Sequence, residues 1–281
     1  MSGIVYLNGN FLSKNMAFIS PEDRGFNFAD GVYEVVKYYK GKPFRMEDHL
    51  ERLARSLHEI KISFSVDYHI LKMFASLLSL NGLSDADAGI YIQITRGSHQ
   101  RVHHFPANLE PTVYAIAFPF PSFTEMLDNG IKVTTAEDIR WLRCDIKSVS
   151  LLPNTMLYNE AVENGAGECI LIRNGNVTEA THSTVFGVKN GKVITHPLSH
   201  LILPGITRKV VLEICQANGI LYMESAITVE ELSNMDELFI AGTGSEIMPV
   251  VNVNNRLVGN GNPGPVTRLL QRLFFEAAGI F

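Results

Sequence analysis

The sequence has few cysteines and no long apolar run, and each shortage excludes a class of protein. Its three cysteines, Cys144, Cys169 and Cys215, are odd in number and far apart. This pattern favours reduced thiols in the cytoplasm over a disulfide framework. No stretch of about 18 apolar residues occurs, so we expect no transmembrane helix. The first residues lack a basic segment followed by an apolar one, so we expect no secretory signal.

The chain also lacks an excess of basic residues, with 24 Lys and Arg against 29 Asp and Glu. The formal net charge is -5, which argues against a groove that binds nucleic acid. No Cys-x-x-Cys pair occurs, and we expect no metal site. With 281 residues, of which 46% are hydrophobic, the chain can bury a large core and is long enough for two domains.

The order of helix and strand patterns predicts two different halves. Apolar residues spaced three and four apart predict an amphipathic helix over 47–60, and short β-branched runs predict strands. Helices are predicted over 47–60, 66–80, 150–164, 207–218 and 265–278, and strands or hairpins over 4–12, 31–39, 89–95, 112–118, 131–135, 169–172 and 184–195. The two prolines in 119–122 indicate a linker. We therefore predict a small α+β domain (1–118), a linker (119–124) and a larger, partly barrel-like sheet domain (125–281).

Lys147, Glu179 and the Gly205-Ile206-Thr207 turn supply, in this order, the parts that a pyridoxal phosphate site needs. A lysine amine holds the aldehyde as a Schiff base, a carboxylate keeps the pyridine nitrogen protonated, and a helix N-terminus takes the phosphate. Each part also has an ordinary interpretation, as a surface lysine, a turn residue or a common helix start. The polar segment 138–141 before Lys147 holds the only tryptophan, and such polar density between apolar runs is typical of a pocket floor.

Nearly the whole chain resembles the fold-type IV pyridoxal phosphate enzymes, and within them the bacterial D-amino acid aminotransferases. The resemblance rests on residues 22–25, 28–37, 49–53, 95–97, 101–106, 235–239, 245–246 and 249–250, together with the motifs around Lys147, Glu179 and Gly205. It implies two domains, a small α/β sandwich and a larger pseudo-barrel. It also implies pyridoxal 5'-phosphate as the cofactor.

The resemblance also assigns roles to individual residues. It implies that Lys147 binds the cofactor and carries a proton to and from the substrate Cα, and that Glu179 pairs with the pyridine nitrogen. The residues implied around the rest of the cofactor are Arg52, the amides of Ile206 and Thr207 and the hydroxyl of Thr243 for the phosphate, and Leu203 behind the ring.

The implied substrate site consists of Tyr33, Arg101 and His103, which match the residues that bind the α-carboxylate in D-amino acid aminotransferases. The arginine fork suits a carboxylate. In the family this loop reaches into the neighbouring subunit, so a homodimer is implied. Without the resemblance, a loop rich in His and Arg is more often simply solvated.

Two features depart from the family pattern. His182 and Thr184 stand where close relatives have Ser and Asn, and Gly242 stands where a phosphate-binding serine is usual. The first departure bears on the substrate range, and the second on phosphate binding.

The predicted activity is transamination of D-amino acids with 2-oxo acids. Within the fold, the alternatives are 4-amino-4-deoxychorismate lyase and a branched-chain L-aminotransferase, neither of which we expect to carry the Arg101 and His103 pattern. A cofactor-binding protein without catalysis is a third alternative, and the intact Lys147 and Glu179 argue against it.

Overall fold

The computed structural model describes residues 3–280, which form two compact units. The first unit comprises the described residues up to Pro121 together with Ile146–Ser150, and the second comprises Ser122–Asp145 and residues 151–280. The linker at 119–124 stays a prediction. The structure adds that a short later segment, which contains Lys147, groups with the first unit.

The first unit is built on one antiparallel sheet. Its elements are β1 (Ile4–Leu7), β2 (Asn10–Ser13), a 3₁₀ turn (Lys14–Met16), α1 (Arg24–Phe28), β3 (Gly31–Tyr39), β4 (Lys42–Pro43), α2 (Met46–Glu59), α3 (Tyr68–Leu80), β5 (Ala88–Thr95) and β6 (Thr112–Pro119). Within the described residues the six strands lie in the order β2-β1-β6-β5-β3-β4. The predicted hairpin at 4–12 forms, because Asn8 and Gly9 adopt positive φ (45° and 90°) as a tight hairpin turn requires.

The core of the first unit lies between this sheet and helices α2 and α3. Every second residue of β5 from Ile90 to Ile94 is fully buried, as expected for one face of a strand. Phe74 and Leu77 of α3 pack into the same cluster. Helix α3 begins where the Asp67 carboxylate accepts a hydrogen bond from the His69 amide (2.8 Å).

The second unit is built on a larger mixed sheet that curls into a half-barrel. Its elements are α4 (Thr124–Asn129), β7 (Ile131–Glu137), α5 (Leu152–Glu163), β8 (Glu168–Arg173), β9 (Asn176–Ala180), β10 (Thr184–Lys189), β11 (Lys192–Thr195), α6 (Ile206–Ala217), β12 (Tyr222–Glu224), α7 (Val229–Leu232), β13 (Glu237–Gly242), β14 (Glu246–Val253), β15 (Arg256–Leu257) and α8 (Pro265–Ala277). Within the described residues its nine strands follow the order β12-β11-β10-β13-β14-β7-β8-β9, with β15 beside β14. The predicted α+β class with a sandwich-like and a barrel-like domain is confirmed.

The long helices predicted in the second half are present, with ends that differ by at most two residues from the prediction. None of the helices between residues 3 and 280 combines the length and the apolar character that crossing a bilayer requires. The part of the chain that the structure describes also contains no group of three or more His, Cys, Asp or Glu arranged to hold a metal ion.

Candidate active site

Lys147 lies in the segment Ile146–Ser150, which runs beside β3 in the first unit. The Tyr33 amide donates a hydrogen bond to the Lys147 carbonyl (3.0 Å). On the other side, the Lys147 amide donates to the Ser56 hydroxyl on α2 (3.3 Å). The lysine backbone is thereby held between a strand and a helix. Its ammonium lies 4.3 Å from the centroid of the Tyr33 ring, so the structure brings these two predicted site residues together.

Arg52 on α2 forms a buried ion pair with Glu34 on β3. Its Nε lies 2.7 Å from Oε1, and its Nη2 lies 2.9 Å from Oε2. His49 Nδ1 lies 2.8 Å from Oε2. Burial raises the pKa of Glu34, but the Arg52 charge and the hydrogen bonds from Arg52 and His49 outweigh it and lower that pKa to about 2. Burial also lowers the pKa of His49, so its neutral ring donates from Nδ1. Glu34 therefore fixes the direction of the Arg52 guanidinium.

Replacing Glu34 with Gln should destabilise the protein by about 3–5 kcal/mol, because a buried guanidinium then loses its counter-charge. Chemical unfolding at pH 7 of Glu34→Gln and of Glu51→Gln, whose carboxylate is exposed on α2, measures the difference. The pKa of folded Glu34 is lowered, so the stabilisation is complete above pH 4.5 and is lost as the pH falls toward 2. The difference in the free energy of unfolding between wild type and Glu34→Gln should therefore shrink as the pH falls over that range. Equal unfolding free energies of the two variants at pH 7 would contradict the role of Glu34.

Glu179 lies on β9 in the second unit, where it is buried. One carboxylate oxygen accepts a hydrogen bond from the Leu203 amide (3.1 Å), and the other accepts from the Arg140 guanidinium. Burial raises the pKa of Glu179, and the charge and hydrogen bond of Arg140 oppose that rise. Two predicted site residues, Glu179 and Leu203, are thus brought into direct contact.

Arg140 connects Glu179 to a second buried carboxylate. Its Nε and Nη2 lie 2.8 Å from the two oxygens of Asp138, and Nη2 also donates to the Leu201 carbonyl (3.2 Å). Asp138 in turn accepts from the Thr178 hydroxyl (2.9 Å). Two carboxylates share one guanidinium here, so the Glu179 side chain is held in one orientation by a buried polar network.

The N-terminus of α6 has the features of an anion site. The helix begins at Ile206 after Gly205, which has no side chain to cap it. The amides of the first turn, including those of Ile206 and Thr207, have no acceptor within the helix, and such amides bind anions. A Cβ on Gly205 would lie only 2.9 Å from the Thr184 hydroxyl, so glycine is needed for this close approach.

A second group of hydroxyls surrounds Gly242, next to Thr243 at the end of β13. A Cβ on Gly242 would lie 2.8 Å from the Ser245 Oγ and 3.2 Å from the Ser183 Oγ. These two hydroxyls are hydrogen-bonded to each other (2.9 Å). The space that a serine at 242 would occupy is therefore already filled by the hydroxyls of neighbouring residues. This gives a physical reason for the departure from the family pattern at Gly242.

His182, which departs from the family pattern, contacts a buried carboxylate and an aromatic ring. Its Nδ1 lies 2.8 Å from a carboxylate oxygen of Glu168, which is fully buried on β8. Its ring packs edge-on against Tyr158 of α5, with 5.0 Å between the centroids. The bulky ring at this position is thus accommodated between a carboxylate oxygen and an aromatic neighbour.

Arg101 and His103 lie in the connection between β5 and β6 of the first unit, and both side chains are exposed. The sequence did not predict the network of Glu34, His49 and Arg52 or the pairing of Arg140 with Glu179. The sequence did contain a signal for the Glu34 network. Glu34 stands within a predicted strand whose neighbouring positions are apolar, and a buried carboxylate there requires a partner.

The chain matches the family model described as amino-transferase class IV over residues 31–253. The chain belongs to the class IV aminotransferases. It is 43% identical over 268 residues to the D-alanine aminotransferase of Bacillus licheniformis, which covers 95% of this chain and 94% of that protein. It is also 43% identical over 272 residues to the D-alanine aminotransferase of Staphylococcus haemolyticus, with 96% of each chain covered.

Among solved structures, the branched-chain amino acid aminotransferase of Escherichia coli superposes with a TM-score of 0.90 at 27% identity, covering 98% of this chain and 94% of that one. The predictions of family and of aminotransferase activity are confirmed. Class IV aminotransferases use pyridoxal 5'-phosphate, so the predicted cofactor is confirmed as well. The donor set described above fits this group, since it includes an amine, a buried carboxylate and an uncapped helix N-terminus.

Proposed function

We propose that this class IV aminotransferase moves amino groups between D-amino acids and 2-oxo acids, converting D-alanine and 2-oxoglutarate to pyruvate and D-glutamate. The observation that carries the proposal is the 43% identity, over almost the full length, to two relatives named D-alanine aminotransferases. The branched-chain enzyme of E. coli is similar in fold but shares only 27% of its residues with this chain.

Pyridoxal phosphate, when bound, supplies an electron sink for the charge that develops at the substrate Cα. In this proposal Lys147 holds the cofactor through its amine and then moves the proton at the substrate Cα. The contact with the Tyr33 ring, 4.3 Å from the ammonium, limits the directions in which the lysine can swing.

Glu179 is assigned to the pyridine nitrogen of the cofactor. Its carboxylate is buried and hydrogen-bonded to Arg140 and Leu203, so it has one fixed orientation and low access to water. A fixed carboxylate of this kind keeps a ring nitrogen protonated, and that proton is what makes the ring an electron acceptor. Leu203, whose amide contacts the same carboxylate, is assigned to the face of the ring.

The phosphate is assigned to donors of two kinds. The amides of Ile206 and Thr207 at the start of α6 and the Thr243 hydroxyl bind it by hydrogen bonds. Arg52 adds a positive charge, and its buried pairing with Glu34 supports a fixed position for that charge.

The substrate carboxylate is assigned to Arg101, His103 and Tyr33. The first two are exposed in the single chain, as expected if they serve a second subunit. Large apolar residues are exposed on the same unit, including Met16, Phe18 and Phe26, and such surfaces commonly mediate association. We therefore propose a homodimer, which sedimentation analysis can test directly.

Arg101→Ala should lower kcat/KM for D-alanine about ten- to a hundred-fold, because a charge-assisted pair to a carboxylate contributes roughly 1.5–3 kcal/mol. The loss should appear mainly as a higher KM, with bound cofactor unchanged. Arg256→Ala, on exposed strand β15, is the matched control. An unchanged KM in Arg101→Ala would remove Arg101 from the substrate site.

The cytoplasm is the proposed location. Cys144, Cys169 and Cys215 are all unpaired and buried, as expected of a protein in a reducing compartment.

Separate substrates distinguish this proposal from its alternatives. With purified, cofactor-loaded enzyme, D-alanine should be turned over and L-alanine ignored. Release of p-aminobenzoate from 4-amino-4-deoxychorismate without D-alanine turnover would favour the lyase, and turnover of L-leucine in preference to D-alanine would favour the branched-chain activity.

A further inference from the structure

Residues 98–106, here called the carboxylate loop, carry Arg101 and His103 without forming a helix or a strand. A loop of this kind can present two side chains in one geometry only if contacts outside the loop hold it. At its start it is held by a bridge between Ser98 and Asp23 and by a hydrogen bond from the His99 amide to the Glu22 carbonyl (3.2 Å). The residues that hold it further along come from α1, from the turn that follows α1, and from Arg96, directly after β5.

The Phe28 ring, at the end of α1, contacts both proposed carboxylate-binding residues. The Arg101 guanidinium lies 5.0 Å from the ring centroid, within the range of a cation–π interaction. The His103 ring packs edge-on against Phe28 at 5.5 Å and 62°. One aromatic ring therefore sets the positions of both side chains relative to each other.

Arg24, one helical turn before Phe28, holds the loop backbone between Arg101 and His103. Its side chain is 2% exposed, and its Nη1 donates to the carbonyl of Val102 (2.7 Å). Its Nε donates to Asp30 (2.8 Å), and its guanidinium lies 4.7 Å from the Phe28 centroid. Residues four apart lie on the same face of a helix, so α1 directs Arg24 and Phe28 at the same segment.

Asp30 joins this arrangement to the far end of the loop. Besides Arg24, its carboxylate accepts two hydrogen bonds from Arg96 (2.8 and 2.9 Å), and the Arg96 guanidinium lies 3.6 Å from the centroid of Phe105. Both ends and the middle of the carboxylate loop are thus tied to one buried cluster.

We propose that Phe28 and Arg24 are positioning residues for substrate binding, which hold Arg101 and His103 in the geometry that receives the substrate carboxylate. This inference rests on the proposed function, because it takes Arg101 as a carboxylate-binding residue. Neither positioning residue touches the substrate. Phe28 acts on the side chains of Arg101 and His103, and Arg24 acts on the Val102 backbone.

Phe28→Leu removes the aromatic face but keeps an apolar side chain. We expect KM for both D-alanine and 2-oxoglutarate to rise about three- to ten-fold, as for loss of one cation–π contact and one ring contact. Bound cofactor and the unfolding temperature should stay near wild type. Hydrogen exchange in the carboxylate loop should become faster. Phe28→Tyr, which keeps the ring, should restore KM, and Phe11→Leu, a 40% exposed ring on β2 of the same unit, is the matched control.

Arg24→Lys is the second variant, which keeps a cation beside Asp30 but loses the fork that reaches the Val102 carbonyl. It should also raise KM while cofactor binding is retained. If Phe28→Leu does not fold, Arg24→Lys alone decides the test, and wild-type KM and wild-type loop exchange in it would overturn the inference.

Arg101→Ala in the same assay separates a failure of the proposed carboxylate site from a failure of the positioning role. If Arg101→Ala leaves KM unchanged, the proposed carboxylate site is wrong and the inference falls with it. If Arg101→Ala raises KM but Phe28→Leu does not, only the positioning role is wrong. The double variant gives the last check. Most of the effect of Phe28→Leu should disappear in the Arg101→Ala background, and full additivity would contradict a role that acts through Arg101.

Discussion

Lys147→Ala should lose the visible absorbance of the lysine-bound cofactor and transaminase turnover together. Lys147 is the only group proposed here both to hold the cofactor and to move the proton at the substrate Cα, so both functions fail at once. Loss of a proton-transfer group that also binds covalently should lower kcat at least about a thousand-fold. The fold should remain, because the hydrogen bonds of this residue with Tyr33 and Ser56 are made by its backbone, and only the contact of its ammonium with the Tyr33 ring is lost.

Two further variants make the Lys147 result specific. Lys147→Arg keeps the positive charge but cannot hold the aldehyde, and it should be as inactive as Lys147→Ala. Lys132→Ala, on β7 of the second unit, removes a lysine with no proposed role and should keep activity and absorbance. Residual activity in Lys147→Ala near that of Lys132→Ala would show that another lysine carries the cofactor.

Glu179→Gln should keep the cofactor bound but lower kcat about a hundred-fold, as expected when a charge in a buried reaction site is removed. The Gln carbonyl can accept from the Arg140 guanidinium or from the Leu203 amide but not from both, and Asp138 still neutralises the Arg140 charge. The loss should therefore lie in proton abstraction and not in folding. The isotope effect on kcat, measured with deuterium in place of the hydrogen on the substrate Cα, should become larger in the variant.

The matched control for Glu179 is Glu160→Gln, an exposed carboxylate on α5. It should leave kcat and the isotope effect unchanged. Wild-type kcat in Glu179→Gln, measured with full cofactor content, would exclude Glu179 as the partner of the pyridine nitrogen.

The sequence predicted the regular elements well wherever local pattern decides them. The strand at 31–39 was predicted with the bounds it has, and the helix predicted at 47–60 runs over Met46–Glu59. The short helices α1, α4 and α7 were not predicted, since helices of four to six residues are too short to show a periodic pattern. Helix α7 did carry a signal, the Thr228–Glu231 capping box.

The contacts around the proposed site were less predictable, because they join residues far apart in sequence. Glu34 and Arg52 are 18 positions apart, and Arg140 and Glu179 are 39 apart. The pairing of Ile146–Ser150 with the first unit is another example. The polar density of 138–141 indicated that charges gather there, but no pattern in one sequence says which carboxylate pairs with which guanidinium.

The order of Lys147, Glu179 and the Gly205-Ile206-Thr207 turn already suggested their roles, and the resemblance made them specific. The roles of Arg52, Leu203 and Thr243 came from the resemblance alone. The geometry is compatible with them in each unit taken by itself. It also adds residues that the resemblance did not single out, above all Glu34 behind Arg52 and Arg140 behind Glu179.

The central claim, transamination of D-amino acids, is tested most directly by the configuration of the product. The enzyme is incubated with D-alanine and 2-oxoglutarate, and the glutamate formed is resolved by chiral chromatography. The proposed function predicts D-glutamate, formed in equal amount to pyruvate. L-glutamate as the product, or pyruvate without any glutamate, would contradict it.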